Sequence, residues 1–183
     1  AFSGVPTGSV NTYYHLESSK GKFFLKIDEV KSEAEARQET DLLVFLRARG
    51  IPCPKPIADQ NGQFIRAHNG KALSVYAALS GKARTESEIT TEHLSAVGKM
   101  LASLHLAGRG YKVSLKNRFS SGRIQALYVH MRETMPSHLK HVKHILDVEL
   151  AHHEEYLEEH LPKGIIHADI FADNLLFRGK RVV

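Results

Sequence analysis

The chain has 183 residues, 42% of them hydrophobic and 25% charged, enough for one compact domain or two small lobes around a cleft and too apolar for intrinsic disorder. The formal net charge of +5 suits an anionic ligand, but no stripe of Lys and Arg interleaved with aromatics marks a nucleic-acid surface. No apolar run has the length of a membrane span, no basic-then-apolar leader opens the chain, and Cys53 is the single cysteine, a pattern that reads as a reducing, cytoplasmic setting without membrane or nucleic-acid partners.

Gly4 to Gly8 is turn-rich and leads into strand-like residues Val10–Leu16. The polar turn Ser18-Ser19-Lys20-Gly21 then joins them to a second strand at Phe23–Ile27, which predicts a hairpin. Ser32 and Glu35 have the spacing of a capping box, so a helix begins there; Leu42, Leu43 and Leu46 lie along it and Gly50 stops it. Pro52, Pro54 and Pro56 require an extended connector. Two further strands are expected at Gln63–Ala67 and Ala72–Ala78, around the turn His68-Asn69-Gly70-Lys71, before the chain passes into a helical half near residue 80. Leu94, Val97, Leu101 and Leu104 make an apolar stripe over Glu92–Ala107, the mark of an amphipathic helix. Gly108 to Gly122 reads as a loop, Arg123–Glu133 and Ser137–His160 as helices, and Pro162 with Gly164 as the stop. The chain closes on Arg181-Val182-Val183, where a strand is starting, and no initiator methionine opens it; it reads as a piece of a longer protein.

The last apolar stretch contains His167-Ala168-Asp169 and, after four intervening residues, Asn174. This is the spacing of a kinase catalytic loop, H-x-D-x-x-x-x-N, in which the Asp takes the proton of the attacking hydroxyl and the amide oxygen binds Mg²⁺. With 12 His in the chain and few Asp or Asn, roughly 0.01 chance matches are expected, and the competing reading is an Asx-rich turn between two core strands.

The segment GIIHADIFADNLLF resembles the catalytic segment of the bacterial homoserine kinases, within the aminoglycoside-phosphotransferase-like superfamily. RARGIPCPKPI, LSVYAALSGK, HLSAVGKMLASLHLAG and the LPKG lead-in are similar to that family in the same order. The resemblance implies an α+β, protein-kinase-like fold: an N-terminal nucleotide-binding lobe over residues 1–80, an antiparallel sheet with one helix, and a truncated, mainly helical catalytic lobe over 81–183. It implies ATP and Mg²⁺ as cofactors and phosphorylation of the side-chain hydroxyl of L-homoserine, a step of threonine biosynthesis. A kinase for another hydroxylated small molecule, of aminoglycoside or choline type, and a nucleotide-binding module without catalysis are the alternatives.

In that scheme Asp169 is the catalytic base and Asn174 a magnesium ligand, and Ala172 stands where relatives often carry Pro. His167 is a loop-ordering residue or a core histidine. Lys26, on its strand, meets the α/β-phosphates and is held by Glu39, with Glu35 taken by the capping box; the competing readings are a snorkelling surface lysine and a solvated glutamate. The loop over Gly4–Ser9 covers the phosphates with help from Gly8, Ser9 and Asn11. Ala77 to Leu79 form the connector that reads the adenine edge. Asn117 and Arg118 could reach an amino-acid carboxylate, although an exposed basic loop is the simpler reading. His138, His141 and His144 share a helix face at a spacing compatible with zinc, but neighbouring Lys140 and Lys143 make a solvated surface the simpler reading. A second metal-binding Asp, expected on the strand after the catalytic loop, does not occur by Val183, so the piece by itself is expected to be inactive.

Overall fold

Alternating residues of the first half pair into an antiparallel sheet: β1 (Phe2–Gly4), β2 (Thr12–Ser18), β3 (Gly21–Asp28), β4 (Lys55–Pro56), β5 (Ile65–His68) and β6 (Lys71–Ala77). The strand order is β1-β2-β3-β6-β4, with β5 also pairing β6. The structure, a computed structural model, describes residues 1–6, 10–115, 117, 119–155 and 163–183. The β5–β6 hairpin turns on Asn69 and Gly70, whose φ angles of 49° and 76° are the left-handed pair that a two-residue type I′ turn requires. β1 had no alternating pattern to announce it. It pairs Phe2 with Leu16, and the Phe2 ring stacks on Tyr14 at 4.6 Å.

Register decides which side chains meet. Lys26 sits opposite Tyr13 and Ser74, and Phe24 opposite His15 and Tyr76, so these residues share one face of the sheet. Helix α1 (Glu33–Arg47) covers that face, packing Ala36 against Ile65 and Ala72. Its start is the predicted capping box: Ser32 Oγ accepts from the Glu35 N–H at 3.3 Å, and Glu35 accepts from the Ser32 N–H at 2.9 Å, an arrangement that contributes about 1 kcal/mol.

Helix α2 (Thr91–Gly108) follows the connector. Leu104 packs with Leu46 and Ile51 of the α1 side, while Val97 packs with Leu175 and Phe177 from the segment after the catalytic loop. Burial of one such side chain stabilises by roughly 1.5–3 kcal/mol, so α2 holds that segment in place. The segment ends in a small hairpin, β7 (Phe177–Arg178) and β8 (Arg181–Val182).

Residues Ala1–Lys112 with Gly164–Val183 form one compact unit and Val113–Lys163 a second. The second contains α3 (Ser121–Arg132) and α4 (Lys140–Glu155), the latter preceded by a 3₁₀ turn at Ser137–Leu139. Tyr128 donates to Asp147 at 2.8 Å, and Arg132 pairs with the same carboxylate at 3.2 Å, tying α3 to α4. His138, His141 and His144 are exposed. The part of the expected last helix from 156 to 160 lies outside the described residues.

Candidate active site

Lys26 points from the middle of β3 toward α1 and is only 5% exposed. Its Nζ donates to both carboxylate oxygens of Glu39, at 3.0 and 3.1 Å, and lies 3.1 Å from Asp28 Oδ1. The reading of Lys26 as a snorkelling surface residue is therefore wrong: the pairing of β3 with β2 and β6 turns it toward α1, where a buried ammonium needs paired carboxylates. Burial works against the charged lysine, but Glu39 and then Asp28 outweigh it and hold Lys26 above its ordinary range. Glu39 is the mirror case: burial favours its neutral form, and the charges of Lys26 and Lys31 overcome this and lower it. Lys31, from the turn before α1, also bonds Glu39.

Lys26 and Glu39 line a cavity of about 520 Å³ together with Phe24, Tyr76, Ala77 and Leu79, a size in the range of small-molecule sites. Ala77 ends β6, and the Ala78 N–H bonds back to the Lys22 carbonyl at 3.0 Å, which fixes the connector against the sheet. Gly81, also on the cavity wall, passes so near Val183 and Leu176 that a Cβ there would sit 2.6 and 2.9 Å from their side chains. Lys82 and Phe177 exchange backbone hydrogen bonds of 3.0 and 2.9 Å, and Arg178 donates to the Ser80 carbonyl at 3.2 Å. The connector and the strand after the catalytic loop are thereby stitched together.

The loop itself bends tightly. Ala168 adopts φ 63°, a left-handed conformation uncommon for a residue with a Cβ, and residues Ala172–Asn174 make a 3₁₀ turn. As a result Asn174 Nδ2 donates to Asp169 Oδ2 at 2.9 Å and to the Asp169 carbonyl at 3.1 Å. With Nδ2 so engaged, Oδ1 is the oxygen that Asn174 offers to a hard cation. His167 is exposed and its Nδ1 accepts from the Asp169 N–H at 3.3 Å; it orders the loop and is not a core histidine.

The remaining expected residues fare differently. Gly8, Ser9 and Arg118 lie outside the described residues. Asn11 Oδ1 accepts from the Glu29 N–H at 3.3 Å, next to the start of β2. Asn117 accepts from the Phe119 N–H at 2.9 Å within the second compact unit. Sequence reasoning missed Asp28 and Lys31; a strand position two residues past Lys26 on the same face was the available signal for the first. It also missed His93, whose ring stands in for the capping-box carboxylate, accepting from the Thr90 N–H at 3.1 Å. The other ring nitrogen then faces the Gly179 carbonyl at 3.2 Å, and the ring meets Phe177 edge-on at 4.8 Å. His93 thus links α2 to the β7–β8 turn.

An antiparallel sheet with one covering helix, a connector stitched to the strand after an H-x-D-x-x-x-x-N loop, and an ion-paired strand lysine define a protein-kinase-like α+β fold. The profile of the phosphotransferase enzyme family matches residues 2–183, and the chain belongs to that family. Among curated relatives, a homoserine kinase of Methylobacillus flagellatus is 32% identical over 98% of this chain and 54% of its own length. One from Bartonella tribocorum is 34% identical over 97% of this chain and 55% of its own. The chain thus spans about half the length of the curated relatives it matches. Among solved structures, an amicoumacin kinase in complex with AMP-PNP and Ca²⁺ superimposes with a TM-score of 0.80 at 20% identity, covering 99% of this chain and 56% of that one. The aminoglycoside phosphotransferase APH(4)-Ia does so with a TM-score of 0.73 at 14% identity, covering 100% and 64%.

Proposed function

We propose that this chain is the nucleotide-binding and catalytic-loop portion of an ATP-dependent kinase that phosphorylates the side-chain hydroxyl of L-homoserine. The observation that carries the reading is the Lys26–Glu39 pair, with Nζ 3.0 and 3.1 Å from both carboxylate oxygens on the wall of a 520 Å³ cavity. Two lobes, 1–80 and 81–183, meet at the connector in this reading, and the nucleotide occupies the cavity between sheet and connector.

The residues present suit a magnesium nucleotide. The cavity is large enough for it, Lys26 is held charged beside it, and Asn174 Oδ1 is a hard oxygen of the kind Mg²⁺ takes. Bound there, ATP would supply the phosphoryl group. Lys26 neutralises phosphate charge, with Glu39 and Asp28 fixing its position so that no reorganisation is needed. Ala77 and Leu79 present backbone and small apolar surface to a flat ring. Asp169 orients the acceptor hydroxyl and accepts its proton, while Asn174, hydrogen-bonded to Asp169, keeps that carboxylate aimed.

The choice of L-homoserine is supported by the relatives named homoserine kinase at 32–34% identity. ATP consumption by the full-length protein carrying this segment, measured with L-homoserine, L-serine, choline and an aminoglycoside, tests it. Turnover with homoserine at the highest kcat/KM is expected; preferred turnover with another acceptor overturns the substrate, and none with any acceptor overturns the kinase.

A further inference from the structure

Lys26 is surrounded by more negative charge than holding it in place requires. Glu39 alone grips Nζ with both carboxylate oxygens, at 3.0 and 3.1 Å, yet Asp28 Oδ1 stands 3.1 Å from the same nitrogen. The Asp28 side chain is 1% exposed and its Oδ1 is buried without a hydrogen bond, so the Lys26 cation is what balances it. A carboxylate in such a place is costly to keep. On the other side of Glu39, Lys31 pairs with the same carboxylate. Two ammonium groups thus face two carboxylates, and the cluster carries no net charge. Lys26 and Glu39 line the cavity, whereas Asp28 and Lys31 are not among its lining residues. These two act on an occupant through their field, not by contact.

We infer that Asp28 limits how tightly a nucleotide is held, by cancelling charge that the cavity wall would otherwise turn toward a phosphate chain, so that the spent diphosphate leaves readily. The inference rests on the nucleotide reading of the cavity and deepens it. A phosphate beside Lys26 meets the ammonium at contact and the Asp28 carboxylate one contact further back. With both groups shut away from water, the second charge is little screened. Without it the cluster would carry one positive charge in excess and grip substrate and product nucleotides alike. Such uniform binding gains nothing in rate once the site is filled, and slow product release limits turnover in many enzymes. Asp28 touches no reacting atom; it is a positioning residue acting through Lys26. A carboxylate needed only to aim the lysine would have the opposite signature, since its removal would loosen the ammonium and weaken nucleotide binding.

Titration calorimetry of the full-length protein with Mg²⁺·ADP and with adenosine separates the two. Asp28→Asn keeps the side chain's volume and removes its charge; it is expected to tighten Mg²⁺·ADP binding by about 5- to 50-fold, with a steeper loss of affinity as salt is added. Lys31→Gln moves the cluster's charge the other way and, being partly open to solvent, weakens Mg²⁺·ADP binding by about 2- to 5-fold. The double variant returns to within about threefold of wild type, because the cluster is neutral again. Adenosine has no phosphate for these charges to act on, so it binds all four proteins within about twofold. Unchanged or weaker Mg²⁺·ADP binding by Asp28→Asn overturns the inference, and so does an equal change for adenosine. Should Asp28→Asn fail to fold, Lys31→Gln decides alone: Mg²⁺·ADP affinity equal to wild type overturns the inference. A wild-type protein that binds neither Mg²⁺·ATP nor Mg²⁺·ADP overturns the nucleotide reading itself, and the role of Asp28 falls with it.

Discussion

Replacing Lys26 by Met separates the cation's electrostatic role from its packing. Glu39 loses one partner and keeps Lys31. Asp28 is 2% exposed, its Oδ1 makes no hydrogen bond, and Lys26 Nζ at 3.1 Å is the cation paired with it. At an effective dielectric of about 20, a pair at that distance attracts by about 5 kcal/mol before desolvation is counted. Removing one partner of a buried pair destabilises by about 3–5 kcal/mol, because the other charge is stranded. Lys26→Met should therefore lower unfolding free energy by that amount, and Asp28→Asn added to it should recover about 2–3 kcal/mol. Urea unfolding of the four proteins in the cycle, with the denaturant slope checked for constancy, measures the coupling. A cost below about 1 kcal/mol for Lys26→Met, or strict additivity of the two substitutions, would refute the claim that a buried charge cluster holds this lysine.

Glu39 makes stability depend on acid. Its folded-state value is depressed below about 4.5, so its contribution is complete above that pH and is lost as pH falls through the folded value. Glu39→Gln should be less stable than wild type at pH 7, with the gap narrowing as pH falls below about 4.5; a constant gap in urea midpoints contradicts this. Gly81→Ala forces a Cβ to within 2.6 Å of the Val183 side chain and should cost about 1–3 kcal/mol. Gly98→Ala, within α2 and with nothing within 4 Å of the new atom, should raise stability by about 0.5–1 kcal/mol; the two melting shifts should have opposite signs. Ala168→Gly releases the φ 63° backbone, a gain of about 1–2 kcal/mol offset by about 0.5–1 kcal/mol of glycine entropy. A rise in melting temperature is the expected outcome, and a fall would show that the Ala168 methyl is held by favourable contacts.

The local chemistry of the site was readable in the chain itself. Spacing alone brought Asp169 to Asn174, and the Ser32–Glu35 capping box located the helix that carries Glu39. Strand alternation around Lys26 allowed an inward or an outward side chain, and only pairing with β2 and β6 chose between them. β1 was illegible because three exposed residues carry no period, and its pairing is set by a partner more than ten residues away. Gly81 looked like an ordinary connector glycine; its need to be glycine comes from Leu176 and Val183, about a hundred residues on. His93 was hidden by expectation, since a capping box normally carries Glu or Gln at that position.

Phosphorus NMR of the full-length protein with ATP and L-homoserine, run beside its Asp169→Asn variant, probes the account at its centre. Wild type should build up the phosphate ester of homoserine, and the variant should do so about 10²- to 10⁴-fold more slowly with an unchanged melting temperature, because Asp169 is exposed. Ester formation by the variant within tenfold of the wild-type rate would contradict the assignment of Asp169 as the proton acceptor.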